Sequence, residues 1–215
     1  MLKLLINAPK GGVGKTTIAT NTALLLAEEG KSVLVLKLSG TSRIKYHIEN
    51  AKKNVPNIYG KIEVEEHTDE NLPNFKGRGK YDVVVADTDD NWNILDQLVD
   101  KKRKGWRVIV PIVPSDSEAM QSIPEELQPI VNQSRIIGIN LCMKIVPNKC
   151  GLCDDSSSDI SLVKQRLQDC GLLTYMSRYY LPYAGRVLPP SSPIFLDNSI
   201  FREQLNLLLF ELGIL

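Results

Sequence analysis

The chain has 215 residues, 43% of them hydrophobic and 24% charged, with a formal net charge of +1. This length suits one α/β domain with a sizeable buried core, which we expect to span residues 1–215. No apolar run approaches the roughly 20 residues of a transmembrane helix, and the near-neutral charge indicates no strongly acidic or basic partner. No secretory signal precedes the first apolar run, so we expect a cytoplasmic protein with reduced cysteines.

Short apolar runs alternate with segments of helical periodicity. The predicted strands are, in chain order, 2–7, 32–38, 61–65 (an edge strand in a polar, irregular region), 81–86, 106–113, 135–145 and one within 172–180. The predicted helices are 16–29, 94–104, 118–131, 158–168 and 198–212. We expect Gly30 to end the first helix, Pro124 to interrupt the third, and Ser158 or Asp159 to cap the fourth. Continuously apolar strands alternating with helices predict a doubly wound, mostly parallel α/β sheet with helices on both faces.

A glycine-rich loop, Pro9-Lys10-Gly11-Gly12-Val13-Gly14-Lys15-Thr16-Thr17, follows the first strand and opens the first helix. Glycines let the backbone curl with its N–H groups facing inward, and together with the helix N-terminus these groups form an anion site for phosphates. We expect Lys15 to contact the β- and γ-phosphates and the Thr16 hydroxyl to bind Mg²⁺. The strict motif has glycine where Pro9 stands, but strand, loop and helix all agree with nucleotide binding by residues 11–17.

Asp87 follows the apolar run Tyr81-Asp82-Val83-Val84-Val85-Ala86. An acidic residue at the tip of a buried strand can bind Mg²⁺ through water, so Asp87 is a candidate metal and catalytic residue beside Thr16. The alternative is a surface aspartate that merely ends a strand.

The second lysine of the loop, Lys10, resembles the deviant Walker A motif of the ParA/MinD family of P-loop ATPases, of the SIMIBI type. The resemblance extends to the strand ending at Asp87 and to residues 108–115, and more weakly to Leu181-Pro182-Tyr183. It implies ATP as the nucleotide and an ATP-dependent homodimer, in which Lys10 contacts the partner's phosphates and acts in catalysis with Lys15 and Asp87. It also implies that backbone near Pro182 packs beside the adenine, although an ordinary proline loop is an equal interpretation.

The second strand departs from the family pattern. Family members usually end it with Asp-x-Asp, whereas here the corresponding stretch is Lys37-Leu38-Ser39-Gly40. Neither lysine nor serine replaces a carboxylate that orients a nucleophilic water. Asp89 or Asp90 is a candidate replacement, but solvated loop charges are the favoured interpretation. We therefore expect ATP binding with slow or partner-stimulated hydrolysis, and Lys37 is a candidate contact to nucleotide or partner charge.

Three other features have competing interpretations. Cys150 and Cys153 have metal-ligand spacing, and Cys142 and Cys170 are candidates to complete a zinc site, but buried free cysteines are favoured. The basic run 101–104, with Arg107, is either a solvated helix end or a non-specific DNA patch that would extend to Arg178 and Arg186. The leucine-rich segment 200–215 predicts a helix packed on the sheet rather than a membrane-docking one, because Arg202 is its single cation.

The resemblance implies a ParA-like switch for partition or positioning of a plasmid or other replicon, in which an ATP-bound dimer binds DNA non-specifically. A centromere-binding or adaptor protein is the implied partner. The alternatives are a MinD-like ATPase at a membrane surface and a nucleotide-dependent scaffold with little hydrolysis. DNA retardation and liposome co-sedimentation, each with ATP, distinguish the first two.

Overall fold

The computed structural model describes residues 1–38, 40, 42–53, 58, 61–67, 71–73, 75, 79–88, 93–100, 105–152, 155–184 and 193–215. Its strands are β1 (Leu2–Ile6), β2 (Val33–Lys37), β3 (Ile62–Glu66), β4 (Val83–Asp87), β5 (Trp106–Ile112), β6 (Cys142–Cys150) and β7 (Leu181–Pro182). Its helices are α1 (Lys15–Glu28), α2 (Ile44–Ala51), α3 (Asn93–Asp96), α4 (Ser117–Ile136), α5 (Ser156–Asp169), α6 (Ile194–Asp197) and α7 (Ser199–Glu211).

The seven strands form one parallel sheet in the order β3-β2-β4-β1-β5-β6-β7. Successive side chains of β1 enter different cores: Leu4 and Ile6 pack with α1, α2, α6 and α7, whereas Leu5 packs with α3, α4 and α5. Helices therefore cover both faces, and the predicted doubly wound parallel fold is confirmed.

The register aligns the ends of three central strands. Ile6 of β1 pairs with Asp87 of β4, and Asp87 also pairs with Lys37 of β2. Their carboxyl ends therefore lie at one edge of the sheet, the edge at which ligands bind in open α/β folds.

The predicted strand at 135–145 is wrong in its first half, because α4 continues to Ile136 and β6 begins at Cys142. The expected interruption at Pro124 does not occur. A proline cannot donate to the carbonyl four residues earlier, and here Arg166 Nε donates to that carbonyl, on Met120, at 3.0 Å. The Arg166 side chain, from α5, thus replaces the N–H donor that Pro124 lacks, and the helix continues through the proline.

Other boundaries differ from the predictions. Asp155, not Ser158 or Asp159, caps α5, and its carboxylate accepts hydrogen bonds from Ser157 and Ser158 that lower the pKa of Asp155 to about 2. The segment 172–180 contains a 3-10 turn at Leu173–Tyr175, and the last strand, β7, comes after it.

The predicted helix at 94–104 ends early and a further helix was missed. The described part consists of α3 and a 3-10 turn at Gln97–Val99, after which Asp100 is extended, and residues 101–104 lie outside the described ranges. The missed helix α2 buries Ile44, Ile48 and Ala51, whose spacing is that of one helical face.

Candidate nucleotide-binding site

The glycine-rich loop joins β1 to α1 and requires left-handed backbone at two glycines. Gly12 has φ 78° and Gly14, the N-cap residue of α1, has φ 96°. Between them Val13 is fully buried and anchors the loop in the core. Lys15, also buried, donates from Nζ to the Lys10 carbonyl at 2.8 Å, so its charge lies within the curve of the loop. Inward-facing N–H groups, a helix N-terminus and a buried ammonium group together favour a polyphosphate.

Asp87 lies beside the loop at the end of β4. Its side chain is fully buried, and Oδ2 accepts a hydrogen bond from Thr16 Oγ1 at 2.9 Å. The Ser42 hydroxyl donates to the same oxygen at 2.5 Å. The structure therefore brings Asp87 together with Thr16 and its neighbour Lys15, so the two motifs predicted from the sequence meet at one place. A carboxylate and two hydroxyls form an all-oxygen donor set, the kind that Mg²⁺ prefers.

A buried polar chain supports this edge from behind. Asn7 Nδ2 donates to Thr88 Oγ1 at 2.8 Å, and the Thr88 hydroxyl donates to the Ile6 carbonyl at 2.9 Å. These bonds tie the end of β1, where the loop starts, to the residue after Asp87. Buried hydrogen bonds of this kind fix the relative position of the two strand ends.

The end of β6 holds the loop from the other side. Asn148 Nδ2 donates to the Val13 carbonyl at 2.7 Å and Lys149 Nζ donates to the Gly12 carbonyl at 2.7 Å. Lys149 has φ 57°, an uncommon left-handed conformation for a residue with a side chain. Neither residue was predicted to be in the site, because the predicted strand ended at 145; the observed strand, Cys142–Cys150, places both at the loop-facing edge.

Pro182 lies on β7, opposite Cys150 of β6, one strand beyond the residues that hold the loop. Thr17 is exposed at the start of α1, and its carbonyl accepts from Asn21 Nδ2 at 2.8 Å. These positions are at the predicted edge of the sheet. The base and partner contacts expected there stay predictions.

The two other lysines of interest form ion pairs within the chain. Lys10 Nζ lies 2.5 Å from Glu118 Oε2, and Lys37 Nζ lies 3.7 Å from Glu66 Oε1. Lys37 thus has a carboxylate partner on the neighbouring strand β3, in addition to its place beside Asp87 in the register. The candidate replacements Asp89 and Asp90, and Ser39, lie outside the described residues.

Two of the four cysteines lie at opposite ends of one strand. Cys142 begins β6 and is exposed, whereas Cys150 ends it and is buried. With a rise of about 3.3 Å per residue, the two lie roughly 26 Å apart and cannot bind one metal ion. The described residues hold no group of three or more His, Cys, Asp and Glu side chains that could bind a metal ion, and Cys153 lies outside those residues. Burial raises the pKa of the Cys150 thiol to about 12, which opposes the thiolate that zinc requires.

The predicted packing of the C-terminal helix is confirmed. α7 buries Phe201, Leu205, Leu208 and Leu209 against the sheet. Arg107 Nε donates to the Leu212 carbonyl at 2.5 Å, so Arg107 contacts this helix end, and the basic run 101–104 lies outside the described ranges, as does Arg186. Within the described ranges, no helix has both the length and the apolar character needed to cross a membrane.

A strand, a glycine-rich loop and a helix, with an acidic strand end beside a helical threonine, define a P-loop nucleotide-binding domain. Residues 4–178 match the family model of the CobQ/CobB/MinD/ParA nucleotide-binding domain. The chain therefore belongs to that family, whose ParA- and MinD-type members are P-loop ATPases. A search of curated protein sequences found no significant match.

Solved structures share the fold at low sequence identity. The MinD cell division protein of Aquifex aeolicus is 16% identical, with a TM-score of 0.65 over 99% of this chain and 98% of that one. A plasmid partition protein from Borrelia burgdorferi bound to AMPPNP is 16% identical, with a TM-score of 0.60 over 98% and 97%. The ATP complex of McdA from Cyanothece is 14% identical, with a TM-score of 0.57 over 100% and 97%.

Proposed function

We propose that this chain is a ParA-like switch that binds ATP with Mg²⁺, forms a homodimer in that state, and hydrolyses ATP slowly or when a partner protein stimulates it. The observation that carries the proposal is the convergence of a two-lysine phosphate loop with Asp87 at one edge of the sheet. Cell division and plasmid partition proteins among the structures of the same fold support the class of role.

Each residue of the site has a distinct part in nucleotide binding. The backbone of residues 11–14 surrounds the phosphates, and Lys15 exchanges its hydrogen bond to the Lys10 carbonyl for the β- and γ-phosphates. Thr16 and Asp87 fit Mg²⁺, since their oxygens already lie 2.9 Å apart in a region with a buried carboxylate. The ion would neutralise phosphate charge there.

The proposal of slow hydrolysis is based on the residue at the end of β2, which is a lysine. Lys37 occupies a position where the family pattern has carboxylates, and its ammonium group lies near Glu66. An ammonium group donates hydrogen bonds but accepts none, so it cannot orient a water for attack. We propose that Lys10 supplies transition-state charge across the dimer, which makes dimerisation and a partner the controls on turnover.

We propose that the dimer binds DNA without sequence specificity. The proposed partner is a centromere-binding or adaptor protein. α7 is packed on the sheet through buried side chains and through Glu211, which accepts from Lys144 and Ser177 at 2.8 Å each. A helix fixed in this way does not present its apolar face to lipid, which disfavours the MinD-like alternative.

Gel filtration with ADP and with a non-hydrolysable ATP analogue tests the nucleotide and the dimer together. The parent protein should elute as a dimer with the ATP analogue and as a monomer with ADP. Lys15→Ala should bind neither nucleotide, and Lys10→Ala should bind both but not dimerise. A Lys10→Ala variant that dimerises and hydrolyses like the parent contradicts the role across the dimer.

Two assays separate the remaining alternatives. DNA retardation with ATP supports the partition role, and liposome co-sedimentation with ATP supports the membrane role. Robust steady-state turnover by the isolated protein contradicts slow hydrolysis, whereas dimerisation with no turnover under any condition favours a scaffold.

A further inference from the structure

Ser42 is joined to the proposed metal site although no motif includes it. It lies between β2 and α2, and its hydroxyl donates to Asp87 Oδ2 at 2.5 Å. Thr16 Oγ1 donates to the same oxygen at 2.9 Å. Two hydroxyls from distant segments of the chain therefore meet at one buried carboxylate oxygen.

The hydrogen bonds orient both hydroxyls in a way that suits a cation. A hydroxyl group has one proton and two lone pairs, and each of these two protons points at Asp87. The lone pairs therefore point away from the carboxylate. One lone pair of Ser42 accepts the Ile44 N–H at 3.1 Å, and the other is available to a ligand.

From this arrangement we propose that Ser42 is a second hydroxyl ligand of the Mg²⁺ that accompanies the nucleotide, together with Thr16. The inference rests on the proposed function. Mg²⁺ takes oxygen ligands in octahedral geometry and commonly keeps few protein ligands beside substrate phosphates. Asp87 then accepts a hydrogen bond from each ligating hydroxyl, which orients both groups and makes their oxygens stronger ligands.

The same residue connects the site to α2. The Ile44 N–H that bonds to Ser42 belongs to the first residue of α2, and Ile44 and Ile48 are fully buried against α1. Binding of the ion at Ser42 therefore stabilises the start of α2 in its present position. In this chain, whose β2 lacks the usual carboxylates, Ser42 makes the segment after β2 sensitive to the metal–triphosphate complex.

The affinity for a non-hydrolysable ATP analogue, measured by calorimetry as free Mg²⁺ is varied, tests the proposal. Ser42→Ala should require about five- to tenfold more Mg²⁺ than the parent for half of the full gain in affinity, a loss the size of one ordinary net hydrogen bond. In EDTA the two proteins should bind equally. Ser42→Thr, which keeps the hydroxyl, should resemble the parent, and so should Ser161→Ala on the exposed face of α5.

A second measurement uses the parent protein alone and so does not depend on how a variant folds. With Mn²⁺ and the analogue, paramagnetic broadening should remove the amide NMR signals of Ser42 and Thr16 but not that of Gly138, which follows the far end of the 20-residue helix α4. A sharp Ser42 signal, or an unchanged Mg²⁺ requirement in Ser42→Ala, overturns the inference while nucleotide binding stands. If the parent binds no nucleotide, the proposed function itself fails.

Discussion

Lys10 Nζ lies 2.5 Å from Glu118 Oε2, so the second lysine of the phosphate loop forms an ion pair within its own chain. Glu118 belongs to the first turn of α4, and the two side chains are 29% and 71% exposed. Ion pairs this exposed contribute about 0–1 kcal/mol. Release of Lys10 toward a partner's nucleotide, as we propose for the dimer, therefore has a small free-energy cost.

Glu118→Gln should strengthen the dimer formed with a non-hydrolysable ATP analogue. Removing the carboxylate removes a competitor for Lys10 in each of the two subunits, so the dissociation constant should fall by up to about thirtyfold, the equivalent of about 1 kcal/mol for each lysine. Sedimentation equilibrium over a range of protein concentrations measures this change.

The matched control is Glu125→Gln, which removes a second exposed ion pair of α4, to Arg166 at 3.0 Å. That variant should dimerise like the parent. A Glu118→Gln dimer weakened by tenfold would instead show that Glu118 contributes a contact within the dimer interface.

Gly14→Ala should damage the loop more than Gly12→Ala. Both glycines have positive φ, which costs alanine roughly 1–2 kcal/mol. A Cβ at Gly14 would also lie 2.6 Å from Asn148 Nδ2, whereas a Cβ at Gly12 has nothing within 4 Å. We expect Gly14→Ala to lower the free energy of unfolding by a further ~1–3 kcal/mol and to weaken analogue binding more strongly.

Urea denaturation and calorimetry provide the two comparisons. The double variant Gly14→Ala/Asn148→Ala should recover the part of the stability loss that comes from the clash with Asn148. It should not recover the part that comes from alanine at positive φ. Equal effects at Gly12 and Gly14 would mean that the close approach of β6 to the loop has no energetic consequence.

Asn148→Asp should destabilise the protein through a single changed group. The carboxylate keeps the side-chain size but cannot donate to the buried Val13 carbonyl, which leaves two acceptors facing each other. The expected loss is about 1–3 kcal/mol in urea denaturation. Lys149→Met removes a more exposed bond, to the Gly12 carbonyl, and should cost less than about 1 kcal/mol. The reverse order would contradict the assignment of Asn148 as the main support of the loop.

The strand–loop–helix unit and the parallel sheet were predictable because each depends on local pattern. Continuous apolar runs mark β1, β2 and β4, and Gly30, at φ 91°, ends α1 as expected. The boundary between α4 and β6 was not predictable in this way. The continuity of α4 through Pro124 was not predictable either, because the donor to the carbonyl that the proline leaves is Arg166, 42 residues further along the chain.

The site shows the same division. Thr16 and Asp87 stand at motif positions and were predicted, and the 2.9 Å bond between them follows from the strand register. Ser42 lies at the site because of the course of the chain after β2, and Asn148 lies there because β6 extends further than predicted. Neither feature has a local sequence pattern, so the two residues could be identified only from the folded structure.

Cys150 should be inert to thiol reagents in the native protein while Cys142 reacts. Burial, reinforced by the nearby charge of Asp159, raises the pKa of Cys150 to about 12, whereas Cys142 is exposed at the other end of β6. Reaction with a chromophoric disulfide at pH 8 should modify Cys142 rapidly in the parent and leave Cys150 unmodified, as mass spectrometry of peptides would show. Rapid native labelling of Cys150 would contradict its burial.

The same shift predicts the sign of a pH effect on stability. The folded protein retains the Cys150 proton up to a pKa of about 12, whereas the ordinary thiol value is 9.0, so unfolding releases this proton at intermediate pH. The contribution of the Cys150 thiol to the free energy of unfolding is complete below pH 9. Above pH 9 this contribution declines, by at most about 1.4 kcal/mol for each pH unit. Cys150→Ala changes the core packing by the same amount at every pH. The pH-dependent part of the stability difference between parent and variant therefore comes from the Cys150 thiol alone. The difference in unfolding free energy between parent and variant should therefore shrink from pH 8 to pH 10.5, and a constant difference would show that the thiol does not titrate in this way.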